Sequence, residues 1–94
     1  MPYLLVRQKV LDYERWKSAF DAHSVIRQAN GSRGGQVFRN ASDPNELFVL
    51  LEWDVLEGAR QFTQSEEWRE VMQRAGVLDH PTIFFLKDGE QVSR

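Results

Sequence analysis

His23 and Arg27 are the residues whose types and spacing come closest to chemistry. They stand four apart, behind an aromatic series at Tyr13, Trp16 and Phe20 that keeps the spacing of a single helical face. An imidazole on such an apolar stripe can hold, protonate or orient a ligand near neutral pH. The same ring can equally be a core histidine satisfied by a backbone carbonyl. Arg27 can anchor a carboxylate or phenolate oxygen, or it can serve the end of its helix and solvent. Arg39 adds a second guanidinium able to stabilise an enolate or phenolate. Trp16, Phe20, Trp53, Phe62, Trp68, Met72 and Phe85 would make an apolar pocket for a flat aromatic ligand, or they simply fill the core.

Other chemical arrangements fail on spacing. Two histidines, at 23 and 80, lie far apart without carboxylates at ligand spacing, so no metal site is expected. Ser24 and Ser65 lack an adjacent base with an orienting acid. Glu66 and Glu67 are neighbours in sequence and so point to different sides of a helix. Gly31, Gly34 and Gly35 join a helix to a strand, whereas a phosphate cradle needs the reverse order.

These side chains need elements to position them. Residues 3–10 read as a first strand leaving the core, its apolar end first and its charges last. Asp12 offers an N-cap, and the aromatic stripe then predicts one helix, continued through His23 and Ile26 and closed at Asn30-Gly31. Residues 36–40 predict a second strand and Ser42-Asp43-Pro44-Asn45 a turn, so the second and third strands should form a hairpin. Asp54 with Glu57 has the spacing of a capping box and marks a helix start. That segment ends near Thr63 and Gln64. Ser65 starts another helix, with Trp68, Val71, Met72 and Ala75 on one stripe and Gly76 closing it. Residues 81–86 are a last apolar strand, and residues 87–91 a polar tail.

The third strand, Leu47 to Leu51 with Trp53 closing it, is apolar on both faces. The order β-α-β-β-α-β is the ferredoxin-like arrangement, an α+β fold with a four-stranded antiparallel sheet. Right-handed crossovers place both helical segments on one face of that sheet. The other face then needs a cover, most simply the same sheet of an identical subunit. Leu47, Val49, Leu51 and Trp53 are assigned to the helix side, and Phe48, Leu50 and Glu52 to the partner side.

Composition bounds the rest. Ninety-four residues form a single domain over 1–94, and a domain this small buries only about 60 to 65% of its unfolded surface. Twelve basic against fourteen acidic side chains, with no basic run, argue against nucleic acid and membrane partners. There is no cysteine, which fits a reducing cytoplasm and excludes disulfides and thiolate nucleophiles. The N-terminus lacks a basic leader and reads as a strand of the mature fold.

The run Leu51-Glu52-Trp53-Asp54, then Ala59-Arg60-Gln61-Phe62, Ser65-Glu66-Glu67-Trp68-Arg69 and Ala75-Gly76-Val77, resembles the antibiotic biosynthesis monooxygenase-like proteins of the dimeric α/β-barrel superfamily. Trp16, Phe20, His23 and Arg27 before Gly31 resemble the same group. The resemblance implies a homodimer of paired sheets. It also implies a reaction drawn from cofactor-independent oxygenation, cyclisation, isomerisation or haem degradation, or no reaction at all. For haem, it implies an asparagine on the first strand, a tryptophan on the second helix and a histidine ligand about ten residues later. This chain has Phe62 and Met72 at the latter positions and no asparagine in 3–10. The expectation is therefore a cofactor-free protein. It would be a monooxygenase-like or cyclase-like enzyme on an aromatic or polyketide-derived molecule, or else a non-catalytic dimeric ligand-binding module.

Overall fold

The computed structural model describes all residues, 1–94. In chain order the elements are β1 (Tyr3–Lys9), α1 (Tyr13–Ala22), α2 (Ser24–Ala29), β2 (Ser32–Asn40), β3 (Asp43–Trp53), α3 (Leu56–Thr63), α4 (Glu66–Ala75) and β4 (Thr82–Leu86). The strands form one antiparallel sheet in the order β2-β3-β1-β4. This is the ferredoxin-like α+β arrangement anticipated from the order of elements.

Strand alternation sorts the sheet into two faces. Leu4, Val6, Gln8 and Val10 in β1 and its extension, with Leu47, Val49, Leu51 and Trp53 in β3, are all buried beneath the helices. The helix side assigned to β3 is therefore correct. The expectation that the first strand leaves the core is not, because Gln8 and Val10 stay under the helix layer. Arg7 and Lys9, the charges that suggested departure, belong to the other face. On that face Leu5 is paired with Leu50 and with Phe84, and Phe48 with Phe38. Phe38 and Phe84 are each about half exposed. Within one chain nothing covers this apolar face.

The anticipated first helix is two helices. Asp12 caps α1 as expected, its Oδ1 accepting the Glu14 N–H at 3.0 Å. His23 then interrupts the helix at φ −90°, ψ 2°, and its N–H is shared between the carbonyls of Ala19 and Phe20 at 3.2 Å each. The chain still runs on, since the Arg27 N–H reaches the His23 carbonyl at 3.2 Å. The apolar spacing carries across the break, which is why periodicity alone reads a single helix.

Three boundaries shift. β2 begins at Ser32 rather than Gln36, and Gly35 belongs to the strand. A Cβ there would run into the Leu50 carbonyl of β3, so this close approach requires glycine. The hairpin turn is Ala41-Ser42, because Asn40 pairs directly with Asp43, and Asp43-Pro44-Asn45 belongs to β3. The Asp54 capping box does not form. Val55 occupies the N-cap without a side-chain bond, while the Asp54 carboxylate is taken by Arg33. By contrast Ser65 caps α4 as anticipated, accepting the Trp68 N–H at 3.2 Å. Gly76 closes α4 in the left-handed region at φ 76°.

Candidate functional site

The helices and the inner face of the sheet border a partly open cavity of about 30 Å³. It is lined from β1 by Val6 and Gln8, from the first two helices by Trp16, Phe20, His23 and Arg27, and from β3 by Val49 and Leu51. Phe62 of α3 and Trp68, Val71, Met72 and Ala75 of α4 complete it. Of the residues singled out in the sequence, His23, Arg27, Trp16, Phe20, Phe62, Trp68 and Met72 therefore converge. Arg39, Trp53 and Phe85 do not. Trp53 is wholly buried elsewhere in the core, and Phe85 packs at the core margin with Arg60 above its ring. Arg39 lies at the hairpin end of β2, its Nε donating to the Pro44 carbonyl at 2.9 Å. Its register opposite Leu47 puts it too far along the strand to reach the cavity.

The aromatic stripe forms a column rather than a cage. Trp16 stacks on Phe20 at 4.7 Å and 17° and on Tyr13 at 6.0 Å and 28°. A guanidinium covers each end, Arg27 over Phe20 at 3.7 Å and Arg39 over Tyr13 at 3.9 Å. Such cation-π contacts stabilise by about 0.5 to 2 kcal/mol according to burial. Arg39 thus has a packing role at the far end of the column.

His23 is 6% exposed, and its Nδ1 is buried without a hydrogen-bond partner. No backbone carbonyl accepts a hydrogen bond at this nitrogen. The ring lies 5.9 Å from that of Phe62. Burial holds its pKa below the ordinary value, and the nearby charges of Arg27 and then Arg74 lower it further against the opposing influence of Glu67. The imidazole is therefore neutral at pH 7, the form able to accept a proton.

Gln8 went unread in the sequence. It is 4% exposed, its Oε1 is buried without a partner, and it lines the same cavity as His23. The available signal was the β1 row of Leu4, Val6, Gln8 and Val10, where one amide interrupts an apolar face. Two residues that line one apolar cavity thus each bury an unpartnered polar atom, which costs about 1 to 3 kcal/mol apiece.

Arg27 behaves differently from a helix-terminal arginine. Its Nη1 donates to the Phe20 carbonyl of α1 at 2.7 Å, and no carboxylate pairs with it. Burial lowers its pKa, opposed by Asp21. His80 is exposed in the loop before β4, beside a separate groove that Trp68 and Met72 also border. The cavity's small volume and its Phe62 and Met72 walls do not suit a porphyrin.

The chain matches no family profile and no curated protein sequence. Its fold is nevertheless that of solved structures from the antibiotic biosynthesis monooxygenase-like group. A "putative antibiotic biosynthesis monooxygenase" from Bordetella bronchiseptica superposes with a TM-score of 0.77 at 14% identity, covering 95% of this chain and 97% of that one. A protein of the same designation from Caulobacter crescentus gives 0.73 at 15% identity over 95% and 90%. One from Deinococcus radiodurans gives 0.63 at 17% identity over 100% and 98%. At such identities the likeness is one of fold.

Proposed function

We propose that this protein is a small monooxygenase-like or cyclase-like enzyme acting on an aromatic or polyketide-derived molecule without a cofactor, as a homodimer. The observation that carries the reading is the neutral, unpartnered His23 imidazole in an apolar cavity that also holds the free Oε1 of Gln8. The fold shared with the monooxygenase-designated structures supports it.

In this reading the apolar walls receive the rings, and Gln8 Oε1 accepts a hydrogen bond from a substrate hydroxyl. His23 Nδ1 removes a proton from an acidic hydroxyl or an activated ring CH₂, and Arg27 stabilises the resulting oxyanion. With an anthrone-type CH₂, the carbanion passes an electron to dioxygen, and recombination gives a hydroperoxide. The hydroperoxide loses water to leave a carbonyl: CH₂ and O₂ become C=O and H₂O. The proton held on His23 leaves with that water. The protein's contribution is to deprotonate, to orient and to exclude bulk water.

The test is aerobic incubation with anthrones or quinols, with mass spectrometry for a product containing one oxygen from ¹⁸O₂, beside His23→Ala. Turnover lost in the variant supports the enzyme. No turnover by the native protein favours the second reading, a non-catalytic dimeric ligand-binding module. Both readings meet one constraint: about 30 Å³ is far below the roughly 150 Å³ of an apolar cavity that admits benzene. In either case the cavity must widen before a ring can enter.

A further inference from the structure

Arg27 borders three concavities at once. Besides the apolar cavity it lines a polar cleft of about 240 Å³ with Ser24, Gln28, Ser32, Arg33 and Gly34. It also lines a smaller hollow of about 90 Å³ that runs between Phe20 and the start of β2. No other residue belongs to all three.

The polar cleft has the composition of an anion site. None of its six lining residues is acidic or apolar. Ser32 is 7% exposed, and its Oγ accepts the Gly34 N–H at 3.3 Å, which leaves its hydroxyl hydrogen to donate. Arg33 is held by Asp54, but Arg27 has no acidic partner. Asp21, the acid that acts on it most, is bound by Lys17 at 2.7 and 2.8 Å. A half-buried guanidinium with five donors, only one of them engaged, carries a charge that the protein leaves uncompensated.

The geometry points to an organic anion as the ligand, an apolar aromatic body with a single carboxylate. The carboxylate lies in the cleft against Arg27, Ser32 and Arg33, and the ring enters the cavity. This rests on the reading of the cavity as a ring-binding site, and it adds the charge of the ligand and its route of entry. When Arg27 turns from the Phe20 carbonyl to a carboxylate, it exchanges a neutral acceptor for a charged one, and the stronger bond favours the open form. Because Arg27 borders both cavity and cleft, its turn also widens the passage between them, while its remaining donors still reach the cavity. Ligand capture and cavity opening are then the same motion.

The experiment titrates the full chain with 2-naphthoate, with neutral 2-naphthamide and with acetate, following affinity and the NMR shifts of the Met72 methyl and the Trp16 and Trp68 indoles. The expected result is that naphthoate binds about tenfold tighter than naphthamide and shifts all three cavity probes, while acetate binds only weakly. Arg27→Gln should bring naphthoate down to the naphthamide level, Arg27→Lys should keep part of the preference, and Arg33→Gln should reduce it less. Equal affinity of the two naphthalenes with cavity probes shifted in both would overturn the anion site and leave the ring cavity standing. A preference that survives Arg27→Gln would do the same. If neither compound moves the cavity probes, the ring cavity and the anion site both fall.

Discussion

The guanidinium carbon of Arg27 stands 3.7 Å from the centre of the Phe20 ring, while its Nη1 is bonded to the carbonyl of that same residue. Phe20 thus holds the arginine through both its side chain and its backbone. Phe20→Ala should release the first hold and remove one wall of the cavity. Full burial of a phenylalanine makes such a truncation cost about 3 to 5 kcal/mol. Phe20 is only half buried, so urea denaturation should show a loss of about 2 kcal/mol. Uptake of a naphthalene probe should become faster and tighter. Slower or weaker uptake would mean that Phe20 forms the binding surface rather than the barrier.

Gln8 gives an independent test, because its Oε1 lacks a partner inside the fold. Gln8→Leu removes a desolvated acceptor and fills similar space with apolar atoms. The variant should be more stable by about 1 kcal/mol, and it should lose affinity for hydroxylated aromatics more than for their unsubstituted parents. A fall in stability would show that the amide is satisfied in solution.

Gln8 also shows what could be read in the sequence and what could not. The row Leu47, Val49, Leu51 and Trp53 assigned the faces of β3 correctly, since strand alternation is a local property. Applied to Leu4 and Val6, the same alternation places Gln8 inside, but the neighbouring charges of Arg7 and Lys9 drew the reading toward solvent. Trp16, Phe20, His23 and Arg27 were legible as one stripe because their hydrogen-bonded spacing continues through the break at His23. Asp54 was not legible. Its partner Arg33 lies 21 residues away, and a tertiary ion pair overrode a local cap. Arg39 was misplaced for a similar reason, since which strand residue lies level with the cavity depends on the register of β2 against β3.

The outer sheet face predicts assembly. On it Leu5 stands directly opposite both Leu50 and Phe84, and Phe48 opposite Phe38, and Phe38 and Phe84 remain about half exposed in one chain. Contiguous apolar surfaces beyond a few hundred Å² rarely stay bare on monomers. Light scattering at micromolar concentration should give about twice the chain mass. Leu50→Glu places an unpaired carboxylate in the centre of that face and should dissociate the dimer with a lower melting temperature. A native monomer at that concentration would refute sheet-to-sheet pairing.

The last prediction concerns proton uptake by His23. Burial, Arg27 and Arg74 lower its folded pKa, so the unfolded chain, with an ordinary value of about 6.5, takes up the proton first as pH falls. The stability associated with the neutral ring is complete above that value. It is lost progressively as pH drops from the unfolded pKa to the lower folded one, with a slope no steeper than about 1.4 kcal/mol per pH unit for a single proton. His23→Leu cannot take up this proton. Denaturation free energies of the native chain minus those of the variant should therefore fall on acidification from pH 7.5 and level off below the folded pKa, because every other titrating group is common to both. At pH 8 the variant should be as stable as the native chain or slightly more so, since it no longer buries an unpartnered Nδ1, yet it should lose turnover or ligand binding. A difference that grows on acidification would mean that the fold stabilises the imidazolium, and would overturn the buried neutral ring on which this reading of the site rests.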